Sequence, residues 1–172
     1  MKNALEIAKQ YCEEGLYPIP VLYKEKIPAV PDWTNLKVTP DNAEQYFNGK
    51  ETNIGILLGD GLIDIDIDDE RLLGLAKYIL PPSGLVFGRV SKPSSHYLYK
   101  SDLQETKRYT FGNKTLIEIR SKGCQTVVPP SVHIKGEAIT WERRESLTKT
   151  SSEQITQCAG LLAFTSIRLN YY

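Results

Sequence analysis

The stretch from Gly61 to Glu70, GLIDIDIDDE, alternates isoleucine and aspartate in a pattern that suits cation binding. In a β-strand, residues i, i+2 and i+4 share a face, so Asp64, Asp66 and Asp68 are predicted to line up on one side. Neighbouring carboxylates then stand roughly 6.5 Å apart and repel each other by about 2.5 kcal/mol at an effective dielectric of about 20. A buried row of this kind needs cations, arginines or protonation.

Two interpretations of the aspartate row compete. A solvated acidic face costs little in water. A divalent metal site is favoured because glycine-bounded apolar strands on both sides predict a central strand, and because aspartate is disfavoured in ordinary strands. Carboxylates at alternate positions can converge on one ion or bridge a pair of ions. Such a metal pair implies phosphate chemistry, and the strand alone leaves nuclease, phosphatase and polymerase open.

The segment 87–100, FGRVSKPSSHYLYK, gathers phosphate-type donors around a tight turn. Arg89 and Lys92 can contact phosphate oxygens. Ser94 and His96 alternate, so they are predicted to share a strand face and to touch the same ligand. A polar hairpin with one histidine satisfied by a neighbour is the alternative. The cluster of donors favours a nucleoside triphosphate site.

A second acidic position lies in TLIEIR, a predicted strand at 115–120. Glu118 and Arg120 share one face of it. The simplest interpretation is a cross-strand ion pair on an exposed sheet face. Alongside the aspartates, Glu118 becomes a candidate third metal carboxylate, and Arg120 a candidate to hold a carboxylate or a phosphate.

The elements that must position these residues follow from apolar spacing, caps and turn residues. Strands are predicted at 53–59, 62–68, 85–90, 96–100, 115–120, 125–129 and 138–142. Helices are predicted at 3–14, 40–48, 70–80 and, after a serine cap, 151–172. The proline-rich segment 17–33 is predicted to be extended or looped. The order of elements predicts an α+β fold with a mixed, largely antiparallel sheet and flanking helices.

Composition bounds the class of protein. The chain has 172 residues and a formal net charge of zero, which argues against a strong global attraction to nucleic acid but allows a local basic groove. Three widely spaced cysteines indicate a reducing cytoplasm, and neither a signal peptide nor a membrane-length apolar run is present. No phosphate loop, HExxH or GxSxG motif occurs, so nucleophilic serine or cysteine catalysis lacks support.

Taken in order, these blocks resemble the primase-polymerase (Prim-Pol) domain of the archaeo-eukaryotic primase superfamily, as found in phage and plasmid replication proteins. The resemblance spans most of the chain. It covers the opening helix followed by GLYPIPVLYKEKIP, Trp33, NIGILLG, the aspartate strand, the SSH element, EIR and VVPPSVH leading to ITW. The order and spacing of the blocks are its specific feature.

The resemblance implies an RRM-like catalytic core at 1–145 and a C-terminal helix at 146–172 that leads on to further domains, often a helicase. In that family an acidic hhhDhD strand and a later single acid bind two Mg²⁺ or Mn²⁺ ions. An sxH motif there binds the incoming nucleotide. The implied partners are a single-stranded DNA template, a primer and nucleotides, with a possible helicase domain or partner and no membrane.

Carried over to this sequence, the sxH motif falls on Ser94-Ser95-His96. The later acid falls on Glu118, where the family usually has aspartate. Asp66 and Asp68 are the predicted acidic pair, with Asp64 as a supporting or alternative metal ligand. With His96, the pair and Glu118 form the predicted catalytic set. The predicted nucleotide contacts are Ser94, His96, Arg120, Lys92 and Arg89.

The implied function is that of a DNA primase/polymerase of a mobile replicon, a nucleotidyltransferase that adds (d)NTPs to a 3′-hydroxyl on a DNA template. Two alternatives stay open: a carboxylate-metal nuclease or phosphoesterase, and a non-catalytic nucleic-acid-binding replication module. The pair Ser94 and His96, with the cationic donors around it, favours the first function because a plain nuclease does not need them.

Overall fold

The computed structural model describes residues 3–48 and 51–169, which form two compact units. The first consists of the described residues of Met1–Leu57 and Gly123–Thr140, and the second of those of Leu58–Lys122 and Trp141–Tyr172. The α-helices of this part of the chain are α1 (Ala4–Glu13), α2 (Leu73–Ile79) and α3 (Ser152–Arg168). Its strands are β1 (Pro18–Leu22), β2 (Thr52–Leu57), β3 (Leu62–Ile67), β4 (Leu85–Arg89), β5 (Lys92–Lys100), β6 (Lys107–Phe111), β7 (Lys114–Arg120), β8 (Gln125–Val128), β9 (Thr140–Arg144) and β10 (Thr148–Lys149).

The first unit contains a three-stranded antiparallel sheet in the order β1-β2-β8, with β2 in the centre. Helix α1 begins at a capping box, in which Asn3 accepts from the backbone of Glu6 and Glu6 accepts from the backbone of Asn3. The hydroxyl of Tyr11 donates to the carbonyl of Pro129 at 2.5 Å. This contact joins the helix to the chain that follows β8.

The second unit contains a seven-stranded sheet in the order β6-β7-β3-β5-β4-β9, with β10 paired to β5. The β10–β5 pair is parallel, and the pairs that join β6, β7, β3, β5 and β4 are antiparallel. The predicted α+β class with a largely antiparallel sheet is therefore confirmed, and β3 lies in the interior of the sheet as predicted.

The isoleucine side of β3 carries the core of the second unit. Ile63, Ile65 and Ile67 are fully buried and pack with residues of α2 and α3 such as Ala76 and Leu162. Burying an isoleucine side chain stabilises a fold by about 1.5–3 kcal/mol. Since successive side chains in a strand point to opposite faces, this packing directs the alternate aspartates away from the helices.

Two local predictions differ from the structure. The predicted helix at 40–48 is wrong: only a 3-10 turn forms, at Ala43–Gln45, and the side chain of Asn42 accepts from the backbone of Thr39 instead. The predicted helix at 70–80 begins with a 3-10 turn at Glu70–Leu72. The proline-rich segment is extended over β1, in agreement with the prediction that it is extended or looped. The prolines of β1 have no N–H to donate and are tolerated because β1 is an edge strand.

Helix α3 packs into the second unit through Ile155, Ala159 and Leu162, which are fully buried. The predicted boundary at residue 145, and the further domains expected to follow 146–172, stay predictions. The final residues of the predicted last helix, 170–172, lie outside the described residues. Among the described helices, none has the length and apolar character needed to cross a membrane.

Candidate active site

Five of the predicted site residues converge on one face of the central strands β5, β3 and β7. Asp66 on β3 lies directly opposite His96 on β5 and Glu118 on β7. Asp64 lies opposite Arg120 on β7. Directly opposed residues of antiparallel strands point to the same face. The register therefore brings two aspartates, the histidine, the glutamate and the arginine together.

Asp64, at the inner end of the aspartate row, is paired with Arg120 and His96. Asp64 is fully buried, and its Oδ2 lies 2.5 Å from Nη2 of Arg120 and 3.1 Å from Nδ1 of His96. The His96 ring stacks on Phe87 with 4.6 Å between ring centroids and 7° between planes. A buried carboxylate is tolerated only when it is paired and hydrogen-bonded, and Asp64 has both kinds of partner.

Asp66 occupies the middle of the row. Its Oδ2 lies 3.4 Å from Nη2 of Arg120, and its Oδ1 lies 3.7 Å from Nε2 of His96 and 3.8 Å from Nζ of Lys92. Burial opposes ionisation, but His96 and Arg120 outweigh it and hold the pKa of Asp66 below its ordinary value. Asp66 is therefore a carboxylate at neutral pH.

Asp68 follows β3 and forms the open end, with a side chain that is 41% exposed. Nζ of Lys92 lies 3.3 Å from its Oδ1. Partial burial and the neighbouring Asp66 raise the pKa of Asp68 above its ordinary value, and Lys92 opposes that rise. The ammonium of Lys92 thus stands where the two outer aspartates concentrate negative charge.

Glu118 reaches the same face but is held by a residue that the sequence did not single out. Nε of Arg108 lies 2.5 Å from Oε1 of Glu118, and the two residues are opposite each other on β6 and β7. Arg108 was missed because no strand was predicted at 107–111. The basic-and-aromatic run KRYTF next to the turn before β7 is the signal that could have indicated one.

The donors suit a hard divalent cation, although they are not gathered around one. Among the described residues, no group of three or more histidine, cysteine, aspartate or glutamate side chains is arranged to hold a metal ion. Oδ1 of Asp66 is nevertheless buried and accepts no hydrogen bond from the described part of the chain. Carboxylate oxygens are the ligands that Mg²⁺ and Mn²⁺ prefer, so Asp66, Asp68 and Glu118 fit such an ion in chemistry.

Ser94 does not join His96, and the expectation that both share one face is wrong. The backbone of Ser94 is left-handed, with a φ of 47°, and its N–H and hydroxyl both donate to Glu142. Ser94 lines a cavity of about 410 Å³ together with Tyr97, which belongs to the apolar core. Strict alternation thus fails at this end of β5.

The irregularity has a local cause in the β4–β5 hairpin. The register of this pair shifts between Phe87 and Arg89. A Cβ at Gly88 would lie 2.5 Å from the carbonyl oxygen of Lys92 and 2.8 Å from the backbone nitrogen of Ser94, so only glycine allows this approach. Arg89 lies in the same hairpin, where its Nε donates to the hydroxyl of Ser91 at 3.1 Å.

Fold and site together define an α+β protein with a cation-lined carboxylate site on an antiparallel sheet. The family model described as the N-terminal domain of bifunctional DNA primase/polymerase (Prim-Pol) matches residues 8–159, and the chain therefore belongs to the Prim-Pol family. No curated protein matches the chain. Membership implies primase/polymerase activity of the nucleotidyltransferase type in DNA replication, in a family that generally uses divalent metals. The comparisons give no support to a helicase partner.

Proposed function

We propose that this chain is a DNA primase/polymerase of a mobile replicon, active in the cytoplasm, that transfers nucleotides from (d)NTPs to a 3′-hydroxyl on a single-stranded DNA template. One observation supports this function most strongly: in a Prim-Pol chain, the register of three strands sets Asp66 opposite both His96 and Glu118. Acids from separate strands beside a histidine are the arrangement that the resemblance predicts.

Asp66, Asp68 and Glu118 would hold two Mg²⁺ or Mn²⁺ ions. When bound, such ions activate the attacking 3′-hydroxyl and neutralise the triphosphate as pyrophosphate leaves. Asp66 contributes the buried Oδ1 that accepts no hydrogen bond from described residues, and Asp68 contributes the most exposed carboxylate of the row. Glu118 must turn away from Arg108 to join them, because its Oε1 is in an ion pair.

His96, Lys92 and Arg120 are the proposed contacts of the incoming nucleotide. The ammonium of Lys92 is within 4 Å of both outer aspartates, and we propose that it moves from these carboxylates to contact a phosphate when the nucleotide binds. Arg120 already pairs with two aspartates, which would hold its guanidinium in place for the nucleotide. The role predicted for Ser94 is not part of this proposal, since its hydroxyl is bonded to Glu142.

A single assay tests the proposal against the other two functions. The protein is incubated with an end-labelled primer on a longer DNA template, dNTPs and Mn²⁺, with a chelator in a matched reaction. Extension of the primer that the chelator abolishes supports the proposal. Metal-dependent shortening of the primer would show a nuclease, and an unchanged primer would leave a non-catalytic module.

A further inference from the structure

We infer that Asp64 is a positioning residue rather than a metal ligand: it fixes the ring of His96 in one tautomer and the guanidinium of Arg120 in one orientation. The inference rests on the proposed function only in that the ligand served by these groups is a nucleotide. It is an alternative to the expectation that Asp64 is a supporting or alternative ligand of the metals.

Asp64 is more deeply buried than the two aspartates that follow it in the row. Its side chain is 0% exposed, whereas those of Asp66 and Asp68 are 11% and 41% exposed. A guanidinium already lies at 2.5 Å from its Oδ2. A metal at Oδ2 of Asp64 would have to displace that buried cation, whereas at Asp68 the nearest cation is the ammonium of Lys92 at 3.3 Å.

The contact between Asp64 and His96 decides which ring nitrogen carries the proton. An ionised carboxylate only accepts hydrogen bonds, so we assign the proton to the Nδ1 that lies 3.1 Å from Oδ2. Nη2 of Arg120, which can only donate, lies 3.4 Å from the same Nδ1, and this longer contact gives way to the closer one with the carboxylate. Stacking on Phe87 holds the plane of the ring. Nε2 is then the nitrogen that faces Asp66, at 3.7 Å from its Oδ1, and it is the atom offered to the ligand.

Arg120 is oriented by the same carboxylate. Its Nη2 lies 2.5 Å from Asp64 and 3.4 Å from Asp66, so the guanidinium spans the two acids from β7. Hydrogen-bond partners that orient metal-binding residues typically change affinity or activity by about 10–100-fold when they are removed, and we expect an effect of that order for a partner that orients nucleotide contacts. Asp64 acts on both His96 and Arg120 in this way.

The tautomer of His96 is measured by ¹⁵N NMR of the wild-type protein at alkaline pH, where an imidazole carries one proton. His133 is an internal control, because its Nδ1 accepts from the backbone of Lys135 at 3.3 Å and its proton must be on Nε2. The His133→Asn variant assigns the two sets of signals. The expected result is opposite tautomers, with the proton of His96 on Nδ1. A proton on Nε2 of His96 would overturn the inference.

The variant Asp64→Asn separates positioning from metal binding. We expect nucleotide KM to rise roughly 10-fold while Mn²⁺ binding without nucleotide, followed by electron paramagnetic resonance, changes less than about 2-fold. Asp66→Asn should lose Mn²⁺ binding in the same experiment. Equal losses in both variants would make Asp64 a metal ligand and contradict the inference. If Asp64→Asn does not fold, the tautomer of the wild-type protein decides. A wild-type protein without polymerase activity would contradict the proposed function. The tautomer of His96 and the binding of Mn²⁺ could still be measured on that protein, so they test the inference separately.

Discussion

The central strands β2 and β3 bury polar side chains in two different ways. Each lies between two antiparallel neighbours in its own sheet. In β2 the buried group is the neutral amide of Asn53, which is 1% exposed, and in β3 it is the carboxylate of Asp64, which is fully buried, followed by that of Asp66. The strands therefore offer a comparison between a buried amide and buried charges in similar positions.

The side-chain amide of Asn53 forms hydrogen bonds with backbone groups through both its nitrogen and its oxygen. Its Nδ2 donates to the carbonyls of Val132 at 2.8 Å and Glu25 at 3.3 Å, and its Oδ1 accepts from the N–H of Val132 at 2.9 Å. The aspartates of β3 are balanced instead by charged side chains, and Oδ1 of Asp66 accepts no hydrogen bond from described residues. A closed set of bonds stabilises a fold, whereas a charged acceptor left open is available to a ligand.

The largest effect is expected at Asp66, where the comparison predicts a loss of function without a loss of fold. Asp66→Asn keeps the shape of the side chain and removes the charge, so primer extension should fall by on the order of 10³-fold. Circular dichroism should be unchanged. The matched control is Asp60→Asn, at an exposed residue of the same unit, which should extend primers normally. Wild-type amounts of product from Asp66→Asn would contradict the metal assignment.

The opposite result is expected for Asn53. Asn53→Ala leaves the backbone groups of Val132 without their partner, so the free energy of unfolding should fall by about 2 kcal/mol. Urea denaturation measures this, with the exposed Asn35→Ala as a control that should change it by less than about 0.5 kcal/mol. Catalysis per folded molecule should be unaltered. Unchanged stability would mean that the closed amide does not stabilise the sheet.

A smaller effect on function is expected for the histidine. His96→Ala removes the ring beside Asp66, so nucleotide KM should rise roughly 10-fold with a lesser change in kcat. His133→Ala, in the first unit, changes the only other histidine of the chain and should leave KM as it is. Steady-state extension of a fixed primer at varied dNTP concentration gives both values. An unchanged KM for His96→Ala would remove the residue from the nucleotide site.

The smallest effect is expected at Asp69, which follows the aspartate row in sequence and stabilises the fold. Hydrogen bonds from Arg71, opposed by partial burial and aided by Ser166, lower the pKa of Asp69 to about 2. Because the folded pKa lies below the ordinary value, the stabilisation is complete above pH ~4 and is lost as pH falls toward ~2. Asp69→Asn should lower Tm by about 2–4 °C at neutral pH and by well under half as much near pH ~2. The exposed neighbour Glu70→Gln should not lower Tm. A Tm difference of undiminished size at pH ~2 would exclude the ionised form as its source.

Period-two alternation was enough to predict the two faces of β3 and the face that Glu118 shares with Arg120, and the glycine-bounded apolar strands on both sides were enough to predict that β3 is a central strand. Pairing register was not predictable, because it depends on contacts distant in sequence, so the bonds of Asp64 to Arg120 and His96 emerged only with the sheet. Ser94 departs from alternation because its own backbone is left-handed where it passes close to Gly88. No pattern of side chains along the sequence predicts such a backbone feature. Strand β6 was missed because its side chains are mostly exposed, so it lacks an apolar stripe.

Diffraction from a crystal soaked with Mn²⁺ and a non-hydrolysable dNTP tests the central claim most directly. Anomalous signal for manganese should lie between the carboxylates of Asp66 and Asp68, with Glu118 turned from Arg108 toward the metal and the phosphates beside Lys92 and His96. Asp64 should stay paired with Arg120. Manganese bound elsewhere on the protein, or a nucleotide placed away from this face of the sheet, would contradict the assignment of the site.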